Sequence, residues 1–117
     1  MLFRSLYGAS KAAAEAAMAV LAADLKGTGV TSNVLVPGGV TNTAIVGDEA
    51  GDRARMLQPE IMVPPLLWLI SDAAAGVSAR RFVAMDWDAS LPGAQAAEKA
   101  GVPIAWLGIA RMPVEPR

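Results

Sequence analysis

The sequence contains no cysteine and no histidine. Without cysteine there is no disulfide framework. With histidine missing too, most zinc sites and the usual Ser-His and Cys-His nucleophile pairs are excluded. Charge of one sign is also lacking: ten basic and eleven acidic residues leave a formal net charge of -1, so there is no basic field for nucleic acid and no polybasic stripe for a membrane surface. Nor is there a long hydrophobic run, an internal repeat or a low-complexity linker. The alanine-rich stretch is interrupted by Lys11, Glu15 and Asp24, and "IMVPPLLWLI" falls well short of the roughly 20 apolar residues needed to cross a bilayer. "MLFRSLYGAS" places an arginine inside a short apolar stretch, unlike a secretory signal, so a cytoplasmic setting is the expectation. These absences leave catalysis, if any, to Tyr, Lys, Ser, Thr or carboxylates.

What is present suits one small globular domain: 117 residues, 54% hydrophobic and 18% charged. Residues 5 to 26 are dominated by Ala, Leu, Met, Glu and Lys, and "KGTG" then supplies a cation and glycines, which predicts a long helix with a clear stop. Its apolar positions run nearly all the way round, predicting burial on more than one side. "VTSNVLV" is β-branched and ends at Pro37-Gly38-Gly39, predicting a strand over 31–36. "PEIMVPPLLWLISDAAAG" reads as a second helix opened by Pro59, with a break or late start near Pro64. "RRFVAMDW" reads as a second strand and "PGAQAAEKAG" as a short terminal helix. Long helix, strand, helix, strand is an α/β pattern.

Two stretches could carry chemistry. Tyr7 and Lys11 in "YGASK" stand at i and i+4, on one helical face. A free tyrosine titrates near ~10 and an adjacent ammonium favours the phenolate, so such a pair can trade a proton with an alcohol or ketone. The same two residues fit an ordinary alanine-rich helix equally well. The second stretch is "NVLVPGGVTNT", where a strand ends in a glycine turn followed by hydroxyl and amide side chains; ligands of open α/β sheets bind just beyond such strand ends.

Taken in order, "YGASKAAAEAAMAVLAADLKGTGVTSNVLVPGGVTNT" resembles the catalytic helix and following strand of the short-chain dehydrogenase/reductase family, with Tyr-x-x-x-Lys followed by a strand ending in Pro-Gly. "PEIMVPPLLWLISDAAAGVSARRFVAMDWD" is similar to that family's next helix and last sheet strand, although "DWD" stands where Asp-Gly-Gly is common. The resemblance covers roughly residues 5 to 88. It implies the C-terminal portion of a Rossmann-type, doubly wound parallel sheet in 1–88, followed by an unassigned tail, 89–117.

The resemblance also implies NAD or NADP as cofactor and a small carbonyl or alcohol substrate. Tyr7 would be the general acid/base, and Lys11 would favour its phenolate and hydrogen-bond the nicotinamide ribose. Pro37 and Gly38 would shape the nicotinamide pocket, and Val40 would offer its backbone to the carboxamide. The family's usual threonine falls at Asn42, so its cofactor contact passes to Thr41 or Thr43. Residues 44 to 58 would be the substrate loop, and a homo-oligomer would form through the long helix and last strand.

The family's Gly-x-x-x-Gly-x-Gly cofactor turn, its active-site serine and its upstream asparagine have no counterpart here, and Ser5 and Ser10 are wrongly placed to substitute. The expectation is therefore a chain whose N-terminal cofactor half is missing and which is inactive alone. A non-catalytic relic that assembles with a full-length relative, and an unrelated small α/β domain, are the alternatives.

Overall fold

The computed structural model describes residues 4–105, a mixed α/β chain with a small three-stranded sheet in the order β1–β2–β3. The strands are β1 (Val34–Val36), β2 (Arg80–Val83) and β3 (Gly101–Pro103), and the α-helices are α1 (Arg4–Asp24), α2 (Val63–Leu69) and α3 (Gly93–Ala100). Two compact units divide the chain: residues 1–34, 76–81 and 103–117 form the first, and residues 35–75 and 82–102 the second. No helix among the described residues is long and apolar enough to cross a membrane.

In the first unit α1 forms as its composition dictates. Past its end Gly27 and Gly29 take φ of 84° and 83°, a left-handed conformation that stops a helix cheaply only with glycine. The predicted burial on more than one side is not found. A single stripe is packed, with Ala19 and Ala22 buried and Glu15 and Ala16 half-buried, while Leu6, Val20 and Leu21 stay exposed. Apolar composition says which side chains favour burial; whether a neighbour covers them is decided by the rest of the fold.

The predicted strand over 31–36 is shortened to β1 because Ser32 and Asn33 engage their neighbours largely through side chains. The Ser32 N–H donates to Ser78 Oγ (3.0 Å), Asn33 Nδ2 donates to Val77 O (2.7 Å), and the Arg80 N–H donates to Asn33 Oδ1 (3.2 Å). The Ser32 hydroxyl also donates to Met18 O (3.0 Å), tying α1 to this edge. Glu15 fixes the helix from another point, pairing with Arg81 Nε at 3.3 Å and accepting the Ala105 N–H at 2.9 Å.

The second unit is built around aromatics. Phe82, at 1% exposure, meets Trp68 edge-on at 6.2 Å between ring centroids, and Trp68 in turn meets Trp87 at 5.8 Å. Gly93 opens α3 directly against Trp68, where an added Cβ would come within 2.4 Å of the indole ring. α3 then buries Ala96, Ala97 and Ala100. Near Pro64 the expected late start occurs: a 3-10 turn over Pro59–Met62 precedes α2, whose first turn holds prolines and so loses no internal hydrogen bond.

The predicted second strand is shorter than "RRFVAMDW". β2 stops at Val83, and a 3-10 turn over Ala84–Asp86 carries Trp87 back toward Trp68. Asp88 accepts from Ser90 Oγ (2.6 Å) and Lys99 Nζ (3.1 Å), and those bonds lower its carboxyl from 3.8 to about 2. The segment read as a tail, 89–117, therefore contains α3 and β3, while its residues 106–117 lie outside the described residues.

Because Phe82 is the largest fully buried side chain and organises the aromatic cluster, Phe82→Ala should destabilise the fold by roughly 3–5 kcal/mol. Urea denaturation followed by tryptophan fluorescence measures this. A loss below about 1 kcal/mol would mean that the cluster does not hold the unit together.

Candidate functional site

Tyr7 and Lys11 lie in the first unit, on the N-terminal half of α1. The i, i+4 spacing brings them together: Lys11 Nζ stands 5.4 Å from the centre of the Tyr7 ring, over its face, in cation–π geometry. Tyr7 is 58% exposed, and around Gly8, between the two, there is open space. Continued by one more step of four, the line 7–11 reaches Glu15 and so runs into the packed stripe of the helix. Ser10 is turned inward on the helix, its hydroxyl donating to Tyr7 O at 2.7 Å. The Tyr7 hydroxyl and the Lys11 ammonium make no hydrogen bond or ion pair among the described residues, so both polar ends are available to a ligand.

Pro37, Gly38, Val40, Thr41 and Thr43 lie in the second unit, on the turn that follows β1. Pro37 O accepts the Met85 N–H at 3.0 Å, fixing the strand's exit. Gly38 has φ +100°, and a Cβ there would lie 2.6 Å from both Met85 Cγ and Val83 Cγ1, so glycine is required for conformation and for space. Val40 is exposed, but its carbonyl already accepts the Leu57 N–H at 3.0 Å. Thr41 Oγ1 donates to Gly39 O (3.1 Å) and Thr43 Oγ1 to Thr41 O (3.5 Å), which leaves both hydroxyl oxygens able to accept.

Residues 42–57 form a closed loop. A parallel bridge between Thr41 and Leu57 and the bond from Asn42 N–H to Leu57 O (2.8 Å) join its ends. Two short 3-10 turns, Asp48–Ala50 and Arg53–Arg55, lie within it. Its interior is organised by Arg53, a residue that sequence reasoning alone does not single out. Arg53 Nη1 donates to Asn42 Oδ1 (3.1 Å) and Thr43 O (3.2 Å), and Nη2 to Val46 O (2.7 Å). Gln58 completes the network, accepting from Asn42 Nδ2 (3.1 Å) and donating to Arg53 O (3.2 Å). The fork geometry of a guanidinium serves several acceptors at once, which a flexible ammonium does less well. No short motif announces such a role, because its acceptors are backbone carbonyls brought together by the loop itself. Asn42, standing where a threonine is usual, is thus engaged inside the loop.

Against known proteins, the family model described as short chain dehydrogenase matches residues 1–54, the stretch from the start of the chain through α1, β1, the glycine turn and most of the loop. Neither the curated proteins nor the solved structures give a match.

If Arg53 holds the loop, Arg53→Ala should raise amide hydrogen exchange at Asn42, Val46 and Leu57 by roughly 10-fold or more, as loss of hydrogen bonds to a charged group implies. Arg53→Lys should restore a part of the protection only. Exchange read by mass spectrometry decides it, and unchanged protection in Arg53→Ala would remove the assignment.

Proposed function

We propose, from the match of residues 1–54 to the short-chain dehydrogenase model, a family of oxidoreductases that typically use NAD(P), that this chain carries the proton-transfer part of an NAD(P)-dependent oxidoreductase acting on a carbonyl or alcohol. The observation that supports this most is the Tyr7–Lys11 pair: inside the matched segment, on one helix face, with both polar ends free of other partners among the described residues.

When bound, the nicotinamide supplies or accepts a hydride at the substrate carbon. In the reducing direction the Tyr7 hydroxyl gives its proton to the carbonyl oxygen, so that C=O becomes CH–OH; in the oxidising direction the phenolate takes that proton back. The Lys11 ammonium stabilises the phenolate and offers its N–H groups to the ribose hydroxyls. On the second unit Pro37 and Gly38 give the turn a close backbone approach that suits a flat ring, Val40 retains its own N–H for a carboxamide, and the oxygens of Thr41 and Thr43 accept hydrogen bonds. These residue types are the kind a nicotinamide end would call on. They do not fit the pyrophosphate, since the sequence holds no Gly-x-x-x-Gly-x-Gly turn, so the phosphates would be held by residues other than these 117. Residues 44–58 would serve as the substrate loop.

The exposed apolar residues of α1, Leu6, Val20 and Leu21 among them, support assembly with a second copy through this helix. The same surface is what favours the second reading, a non-catalytic chain that assembles with a complete relative.

One experiment separates the readings. In the native polypeptide purified from its source cells, Tyr7→Phe or Lys11→Ala should lower NAD(P)H-dependent ketone reduction by roughly 10²–10⁴-fold with circular dichroism unchanged. Turnover within a factor of about two of the unaltered protein would remove the catalytic assignment. A folded native polypeptide without any turnover, sedimenting as a complex, would favour the non-catalytic reading.

A further inference from the structure

The loop closed by Thr41 and Leu57 walls a cleft of about 460 Å³ that lies wholly within the second unit, a volume in the range of small-ligand pockets. Val40, Met56, Leu57 and Met85 give it apolar walls. Two charged side chains, Asp52 and Arg55, also line it, and their situations differ. Asp52 is occupied within the backbone, where its Oδ1 accepts the Ala54 N–H at 2.9 Å and caps the short turn over Arg53–Arg55. The Arg55 guanidinium makes no hydrogen bond or ion pair among the described residues, although Arg53, two positions earlier, is engaged by four acceptors. The cleft thus has apolar walls, a carboxylate engaged with its own backbone, and one cation without a partner among the described residues.

Another cleft of this unit, about 590 Å³ beside Trp87 and Asp88, offers no such group, because its cation, Lys99, is paired with Asp88 at 3.1 Å.

We propose that the cleft beside Arg55 takes a small molecule with an apolar alkyl body and an anionic end, the anion meeting the Arg55 guanidinium. Resting on the reading of 44–58 as the substrate loop, this makes the substrate class an alkyl keto or hydroxy acid. A carboxylate matches the planar fork of arginine with two parallel hydrogen bonds. The alkyl body gains by leaving water for Val40, Leu57 and Met85, and an uncharged alcohol of the same length gains that part alone. The carboxylate should therefore discriminate, and the discrimination should vanish with the charge of Arg55.

Equilibrium dialysis of labelled octanoate and labelled 1-octanol against the full 117-residue chain at neutral pH tests this. Octanoate should bind about tenfold more tightly than octanol, and Arg55→Gln should bring the two together by weakening octanoate alone. Lys26→Gln, which removes an exposed cation outside the cleft, should leave the preference intact. Equal affinities in the unaltered chain, a preference that survives Arg55→Gln, or an equal loss with Lys26→Gln would each overturn the proposal. Circular dichroism of the variants excludes misfolding as the cause. The dialysis needs no turnover: failure of the Tyr7 assignment leaves its result standing, and failure of the octanoate preference leaves the Tyr7 assignment untouched.

Discussion

A buried serine makes the demand around which the first unit is organised. Ser32 is 6% exposed, and a hydroxyl and a peptide group at that depth each need a partner. The hydroxyl finds Met18 O on α1, the N–H finds Ser78 Oγ, and the carbonyl accepts the Ala79 N–H at 2.8 Å. One residue therefore joins the helix to the stretch at Ser78 and Ala79. Glu15 adds a second fixed point through Arg81 and Ala105, so α1 is held in rotation as well as in place. Tyr7 and Lys11 inherit that orientation, because they continue the line of Glu15 one and two steps of four residues up the same helix. A side-chain pair on an exposed helical end gains its positional precision from these buried contacts further along.

Within the second unit the corresponding constraint is the close approach at Gly38. Met85 and Val83 occupy the space a Cβ would need, which fixes the turn after β1, and the loop that follows is then shut by Thr41 and Leu57 and filled by Arg53. The arrangement separates the loop's two arginines by role: Arg53 holds the backbone together, and Arg55 stands at the cleft with no charge partner among the described residues.

Much of the fold is legible from local chemistry. α1 follows from its run of strong helix formers and the glycines after it, α2 from proline's preference for a first turn, and α3 from an alanine-rich octet, all of which act within a few residues. The Tyr7–Lys11 juxtaposition is equally local, since i and i+4 share a face in any helix. The parts that were not legible depend on partners distant in sequence. β1 is short because Ser32 and Asn33 pair through side chains with residues 77–80, and β3, Gly101–Pro103, exists because another strand accepts it. The exposure of most of α1 belongs to the same class, as does the Arg53 network, whose acceptors are carbonyls that only the folded loop assembles.

The central claim of the proposed function is a division of labour, in which these residues would supply the proton-transfer pair and the nicotinamide-side turn, without the glycine-rich turn that would hold the dinucleotide's phosphates. Equilibrium dialysis of NADH and NADPH against the 117-residue chain tests it most directly. The account predicts no saturable binding of either nucleotide below the millimolar range, whereas saturable micromolar binding of either one would contradict it.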